Sequence, residues 1–172
     1  MPRTVQKPEA LELLAQNRRK LLGDAGGCVM CALVARARDS AETLAESEHG
    51  VVVLDRFGSR PGHAIVIARR HVEKTTELGW PVYAELQRLA YEACTALERT
   101  LEPARTFVAV LGASEELPMS FPHFHVHVLP LYESGPEARP AHVFSWSIGV
   151  LVYEDDEARE LATRLRAAWP RA

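Results

Sequence analysis

Apolar residues recur along the chain at two different spacings, which predict helices in some segments and strands in others. Leucines three and four positions apart in residues 8–22 favour a helix, and acidic residues early with basic residues late suit the helix dipole. Residues 80–101 have the strongest helical pattern, and Pro81 fits a first helical turn. Residues 155–168 begin with acidic side chains and end with arginines, which predicts a final helix.

Apolar runs also predict a set of β-strands, at residues 49–55, 63–68, 105–111, 124–129 and 143–153. Short connections between strands favour antiparallel pairing, so the sequence predicts the α+β class. A parallel β-α-β unit is the alternative, and only around the long helix at 80–101.

Composition and charge narrow the class of protein. A chain of 172 residues, 47% hydrophobic and 25% charged, is typical of one globular domain. The net charge of −3 argues against broad nucleic-acid binding. No apolar run has the length of a membrane span, and residues 1–7 lack the apolar core of a signal peptide. We therefore expect a cytoplasmic protein with neither a nucleic-acid nor a membrane partner.

The three cysteines do not form a disulfide framework, because their number is odd and small. Cys94 lies within the long helical pattern. Cys28 and Cys31 form a C-x-x-C pair in a predicted turn after several glycines. A single such pair is compatible with a zinc site, with a redox pair or with two reduced, partly buried thiols.

Three histidines stand in strict alternation with bulky apolar residues, at positions 123, 125 and 127. On a strand, alternate side chains share one face, about 7 Å apart, so the histidines would lie together and the apolar residues would be buried opposite. A row of imidazoles contributes little to stability, since each needs a polar partner and protonated neighbours repel. A catalytic site and a metal site are the two functional interpretations.

This segment resembles the histidine triad family, whose motif is His-φ-His-φ-His-φ-φ with φ apolar, and residues 123–129 fit it at every position. Upstream, Asp55 stands eight positions before His63 of a Pro-Gly-His triplet, which is similar to a second family segment. An apolar strand, a basic pair and His71 then follow as in the family. The resemblance covers roughly residues 27–130.

The resemblance implies a role for each of these residues. His125 would attack the α-phosphorus of a nucleotide and form a nucleotidyl-histidine intermediate, for which a neutral imidazole is a suitable nucleophile. His63 and His127 would flank the phosphate and help to hold its charge. Asp55 would accept hydrogen bonds from the ribose hydroxyls. Ser120 matches a residue that contacts the phosphate and assists the leaving group.

The sequence also departs from the family pattern. Pro118 and Met119 stand where the family has Gly-Gln, and Gly112 stands where an amide side chain is common. Gly58 replaces a common proline after Asp55. Because two polar contacts to the phosphates are missing or come from elsewhere, diadenosine polyphosphates, nucleoside phosphoramidates and nucleotide sugars are all open as substrates. A purine nucleotide, adenine in particular, with a short leaving group is favoured.

Relatives in the family bind zinc through a C-x-x-C pair and two histidines. The resemblance therefore implies a structural zinc site with four ligands, Cys28, Cys31, His71 and His123. His49 and His142 have no match in the family and are expected to be ordinary surface or strand histidines.

The fold implied by the resemblance is a sheet of about five antiparallel strands with a long packed helix. We expect a single histidine triad domain over residues 1–172, with its core at about 27–130, an N-terminal helix in 1–26 and a C-terminal extension in 131–172. Members are commonly homodimers, so we expect a homodimer whose interface is the helix at 80–101 and the strand that follows.

The expected function is hydrolysis or nucleotidyl transfer at a nucleotide α-phosphate through His125. Two alternatives remain open at this point. One is a nucleotide-binding protein with little catalysis, suggested by Gly112 and Met119. The other is a metal-dependent hydrolase in which all three alternating histidines bind a metal that activates water.

Overall fold

The computed structural model describes residues 2–23, 26–112 and 121–170. Its strands, in chain order, are β1 (Arg3–Val5), β2 (Thr43–Glu46), β3 (Gly50–Leu54), β4 (Ala64–Ala68), β5 (Arg105–Ala109), β6 (His125–Leu131) and β7 (Val150–Val152). Its helices are α1 (Lys7–Leu22), α2 (Val29–Ala35), α3 (Trp80–Leu101), α4 (Pro140–Phe144) and α5 (Asp155–Ala167).

Five strands form one sheet in the order β2-β3-β4-β6-β5, and every neighbouring pair is antiparallel. The predicted α+β class is therefore confirmed, and the parallel alternative is wrong. β3 and β4 are buried along their whole length, as their unbroken apolar runs require. A second, two-stranded sheet pairs β1 with β7 and so brings the two ends of the chain together.

The long helix α3 has the bounds predicted for it and packs on one face of the five-stranded sheet. Leu86, Leu89 and Leu97 are buried against Val126 and Val128 of β6 in the main hydrophobic core. The opposite face of the sheet carries a second apolar cluster, which includes Met30 of α2. The face of β6 toward α3 is therefore apolar. The opposite face can carry polar side chains.

The strand predicted over residues 143–153 is wrong in its first part. Residues 140–144 form the short helix α4, and only Val150–Val152 forms a strand. Pro140 fits a first helical turn, and Gly149, with φ of +97°, turns the chain just before the strand. Val143 is apolar because it is buried against Leu129 and Leu131, and an apolar run alone does not distinguish a buried helix from a strand.

Smaller differences concern short elements. β1 and β2, of three and four residues, were not predicted. The C-x-x-C pair, predicted in a turn, lies at the start of α2, with Cys28 as the N-cap and Cys31 in the first turn. In the ranges that the structure describes, no helix is both long and apolar enough to cross a membrane.

Candidate functional site

Two of the three alternating histidines lie on one face of β6, as the period of a strand predicts. His125 is paired with Ile67 and His127 with Ile65 of β4, while Val126 points into the core on the α3 side. His123 comes before the first residue of β6, so the prediction that all three lie on the strand is wrong for His123. The chain there is held by Phe124, whose N–H donates to the carbonyl of Val72 at 2.6 Å.

The imidazole of His125 is fixed in one tautomer. Its Nδ1 donates to the carbonyl oxygen of His123 at 2.7 Å, so the lone pair is on Nε2. His125 is buried and lines the large cavity on this face of the sheet. Burial lowers the pKa of His125, although the hydrogen bond to His123 and the charge of Asp55 act in the opposite direction. The ring is therefore neutral near pH 7.

His63 and His127 form a hydrogen-bonded pair beside His125. Nε2 of His63 lies 3.0 Å from Nδ1 of His127, and the N–H of Ser59 donates to Nδ1 of His63 at 3.4 Å. With neutral rings this order puts the proton of His63 on Nε2 and that of His127 on its own Nε2. The rings of His125 and His127 meet edge to face, with centroids 4.8 Å apart.

Both partners of this pair are held neutral. Burial, with smaller contributions from His63 and His125, lowers the pKa of His127 to about 2. Burial also lowers the pKa of His63, against the opposing effect of the Asp55 carboxylate. The site therefore offers a nucleophilic nitrogen on His125 and a neutral N–H donor on His127, which suits reaction at an electrophilic phosphorus beside a negatively charged phosphoryl oxygen.

Asp55 follows the end of β3 and lies at the edge of the same cavity. One carboxylate oxygen accepts the N–H of Phe57 at 2.9 Å, and the other lies 3.5 Å from Nδ1 of His63. Each carboxylate oxygen has a further lone pair, so Asp55 can still accept hydrogen bonds from a ligand. Gly58 in the following loop has a local reason, since an added Cβ would lie 2.8 Å from Cβ of His63.

The four residues of the predicted zinc site lie together. They are Cys28, Cys31, His71 and His123, and their ligand atoms all fall within 4.8 Å of one another. Nδ1 of His123 lies 3.3 Å from Sγ of Cys28 and 3.5 Å from Sγ of Cys31. Nδ1 of His71 lies 3.3 Å from Sγ of Cys31 and 3.2 Å from Nδ1 of His123.

These four separations, of 3.2 to 3.5 Å, are close to those between the ligand atoms of a tetrahedral ion. Usual Zn–N and Zn–S bonds place ligand atoms about 3.3 to 3.8 Å apart at tetrahedral angles. Nε2 of His123 donates to the carbonyl of Ala68 at 2.7 Å, which leaves the lone pair of Nδ1 available for a metal, and such an outer hydrogen bond is the usual support of a metal-bound histidine. The pair Cys28 and Cys31 shares one helix face because the two stand three positions apart.

Not every predicted site residue can be placed. Ser120, Pro118 and Met119 lie outside the described residues. Gly112 lines the cavity, where it has no side chain to contact a ligand. Its φ is +73°, and no atom lies within 4 Å of an added Cβ. The histidines without a family match lie apart from the cluster: His49 and His142 are not among the residues that line the cavity.

The sequence did not predict which other residues line the cavity. It measures about 750 Å³, within the range of about 300–1,000 Å³ for ligand sites. Much of its wall comes from both ends of the chain: from α1, which contributes Leu11 and Leu14, and from the segment after α4, which contributes Trp146. The leucine spacing in α1 was visible in the sequence, but it indicated only that one face of the helix is apolar.

Comparison with known proteins agrees with this geometry. A family model described as the HIT domain matches residues 36–134, which is more than half of the chain. The chain therefore belongs to the histidine triad (HIT) family, whose members are generally nucleotide-binding hydrolases or transferases. A HIT-like protein of 16.1 kDa from Mycoplasma pneumoniae is 30% identical over 108 residues, which is 63% of this chain and 74% of that protein.

Solved structures share the fold. A zinc-bound histidine triad protein from Mycobacterium smegmatis superposes with a TM-score of 0.62 at 23% identity, over 83% of this chain and 92% of that one. A histidine triad nucleotide-binding protein from Sulfolobus tokodaii gives a TM-score of 0.62 at 19% identity, over 82% of this chain and 91% of that one.

Proposed function

We propose that the protein cleaves the bond between the α-phosphorus of a purine nucleotide and its leaving group, with His125 as the nucleophile. Nε2 of His125 attacks the phosphorus, and the P–N or P–O bond to the leaving group breaks as the leaving group takes the bonding pair and a proton from solvent. Water then attacks the same phosphorus, and the bond to His125 breaks to release the nucleotide.

The observation that carries this proposal is the hydrogen bond from Nδ1 of His125 to the carbonyl of His123, at 2.7 Å. It keeps a neutral imidazole with its lone pair on the nitrogen that must attack. His127, with a proton on Nε2, would donate to a phosphoryl oxygen, and Asp55 would hold the ribose hydroxyls. Ser120, as in the family, would contact the phosphate.

We propose a structural role for zinc at Cys28, Cys31, His71 and His123. Four protein ligands close a tetrahedral ion and leave no open position for an activated water. His125 and His127 lie outside this ligand set and have protein partners of their own. A metal-dependent hydrolase that uses all three alternating histidines is disfavoured for the same reason, because His123 is turned toward the cysteines.

The test measures nucleotide release from adenosine phosphoramidate and from a diadenosine polyphosphate, with and without a chelator. His125→Ala is compared with wild type, and His49→Ala serves as a control outside the cavity. We expect release that survives chelation, is kept by His49→Ala and falls by at least about 10³-fold in His125→Ala. A phosphorus–nitrogen adduct on His125, found by mass spectrometry after rapid quenching, would identify the intermediate.

Two other results would contradict the proposed reaction or the proposed structural role of zinc. Tight nucleotide binding without release by the wild type would favour a binding protein, for which Gly112 and Met119 are the sequence observations. Release that a chelator abolishes and added metal restores, with the fold intact, would favour the metal-dependent reaction.

We further propose that the protein is a homodimer through α3 and β5. β5 is an edge strand of the five-stranded sheet, and Val108, Val110 and Leu111 on and after it are 40–55% exposed. An exposed apolar edge strand is an unsatisfied pairing surface. Light scattering should give twice the chain mass for wild type and the chain mass for Val108→Glu, and a monomeric wild type would refute the dimer.

A further inference from the structure

The N-terminal segment and the segment around Trp146 and β7, both outside the family match, fold together. β1 pairs with β7, and Val5, Ala10, Trp146 and Val150 form a buried apolar cluster separate from the main core. Leu11, Leu14 and Phe57 pack against this cluster. The catalytic proposal uses none of these side chains, yet Leu11, Leu14, Phe57 and Trp146 all line the cavity that contains His125.

Helix α1 runs along the cavity, and a hydrogen bond to another segment holds it near each end. Near its start, Nζ of Lys7 donates to the carbonyl of Ser145 at 3.1 Å, and near its end the carbonyl of Leu21 accepts from Arg36 at 3.1 Å. Positions 7, 11, 14, 17 and 21 all line the cavity, and this spacing is one face of a helix. The apolar face of α1 therefore looks onto the ligand space, and its leucines are only partly buried.

The aromatic wall next to α1 reaches the histidines. The ring of Phe144 meets that of His127 edge to face, with centroids 5.5 Å apart. Trp146 is 9% exposed and has φ of +60°. A bulky residue rarely adopts the left-handed region, and backbone strain of this kind concentrates at ligand sites. The apolar end of the cavity thus begins at His127 and continues under α1.

The charges argue against a long phosphate chain at this end. Polyphosphates are held by several free cationic groups. Four basic side chains line the cavity, and three of them already donate to main-chain carbonyls: Lys7 to Ser145, Arg36 to Leu21 and Arg56 to Tyr153. The fourth, Lys20, stands near the C-terminal end of α1, more than one helical turn after Leu11 and Leu14.

We propose that Leu11, Leu14, Phe57, Phe144 and Trp146 form a subsite for an aromatic or aliphatic group on the leaving group of the nucleotide. The substrate class is then a nucleoside 5′-phosphoramidate of an amine with an apolar side chain, and it differs from the short leaving group that the sequence favoured. The subsite rests on the proposed reaction for its role, and the chemistry is unchanged: the P–N bond breaks and the amine leaves with a proton.

The experiment compares two adenosine phosphoramidates, of ethylamine and of 2-phenylethylamine. Because 2-phenylethylamine is the weaker base and so the better leaving group, the preference in kcat/KM is compared with the binding preference of His125→Ala, which reports on the phenyl ring alone. We expect kcat/KM to be at least about tenfold higher for the phenylethyl compound, because apolar groups in a fitted pocket discriminate by this order. Leu11→Gln and Leu14→Gln should each remove most of that preference.

Ala15→Gln is the matched control, since it adds the same side chain on the exposed side of the same helix and should keep the preference. Binding of both compounds to His125→Ala, measured by calorimetry, reports on the subsite without turnover. There too the phenylethyl compound should bind about tenfold more tightly.

The outcomes separate the subsite from the reaction. Equal kcat/KM for the two compounds, with release that depends on His125, would overturn the subsite and leave the reaction standing. No release from either compound, with tighter phenylethyl binding that Leu11→Gln abolishes, would support the subsite and refute the reaction. A preference that both leucine variants retain would overturn the assignment of these residues, and equal binding without release would overturn both proposals.

Discussion

Nδ1 of His125 donates a hydrogen bond to the carbonyl oxygen of His123 at 2.7 Å, while the side chain of His123 lies 3.3 Å from the thiol of Cys28. One residue therefore joins the proposed metal site to the proposed nucleophile. Its imidazole faces the cysteines and its main chain fixes the tautomer of His125. A structural ion at this point would hold the start of β6 and the segment before α2 in register with the ring of His125.

The first prediction concerns the metal. Purified wild type should contain about one zinc per chain, and Cys31→Ser should contain little, because a tetrahedral site needs all four ligands. The free energy of unfolding of Cys31→Ser should be lower than that of wild type by more than about 2 kcal/mol, and its Tm lower by roughly 5 °C. Metal content by plasma mass spectrometry and Tm by calorimetry check this. Cys94→Ser removes a thiol outside the cluster and should keep the zinc; equal zinc in both variants would refute the site.

A second prediction follows from the neutral pair His63 and His127. Burial holds the pKa of both below the usual 6.5, that of His127 at about 2. Since the unfolded chain binds these protons near pH 6.5 and the folded chain does not, the stability they contribute is present above pH 6.5 and is lost as the pH falls. For His127 alone the slope is about 1.4 kcal/mol per pH unit.

The measurement is the free energy of unfolding in urea between pH 5.0 and 7.5, for wild type and His127→Asn. The difference between the two should move by about 1.4 kcal/mol per unit below pH 6.5, with the variant gaining relative to wild type as the pH falls. Parallel curves across this range would show that His127 titrates normally and is accessible to water.

The sequence predicted those parts of the fold that follow from the regular spacing of apolar residues within one helix or strand. The apolar stripe of α3 and the alternation of His125 and His127 with core residues each depend on local spacing, and both appear as expected. The family resemblance also predicted that the four cysteine and histidine residues lie together, although they come from segments far apart in the chain. Here a resemblance carried contact information that spacing alone does not contain.

What the sequence did not predict depends on contacts between distant segments. β1 has three residues and is stable as a strand only because it pairs with β7, nearly 150 positions later. The apolar residues of 143–153 were assigned to one strand because burial looks alike in a strand and in a packed turn or short helix. For the same reason, the sequence did not predict the part of the cavity wall that α1 and Trp146 form: it depends on contact between two segments that are far apart in the chain.

A third prediction concerns Gly62, in the Pro-Gly-His triplet. Its φ is +84°, and an added Cβ would lie 2.6 Å from Leu101 and 2.8 Å from Leu97 of α3. Gly62→Ala should therefore lower the free energy of unfolding by about 2–4 kcal/mol, from overpacking of the core together with backbone strain. Gly79→Ala, at φ of +75° with no atom within 4 Å, has only the backbone penalty and should cost clearly less. Equal losses in urea unfolding would mean that α3 yields to the methyl group.

The last prediction concerns Asp55 and the sugar. One of its oxygens accepts the N–H of Phe57 at 2.9 Å, so the carboxylate is oriented before a ligand arrives. If it accepts the ribose hydroxyls, wild type should prefer adenosine phosphoramidate over its 2′-deoxy analogue by about tenfold or more in kcat/KM, since a hydrogen bond to a charged acceptor contributes about 1.5–3 kcal/mol.

Asp55→Asn keeps the shape of the side chain and an oxygen for Phe57 but loses the charge. It should lower kcat/KM for the ribose compound and leave the 2′-deoxy compound nearly unchanged, so that the preference shrinks toward unity. Asp39→Asn is the matched control, because Asp39 also lines the cavity and the substitution removes the same charge. If Asp39→Asn shrank the preference as much, the effect would come from the overall field of the cavity; only loss confined to Asp55→Asn ties the carboxylate to the sugar.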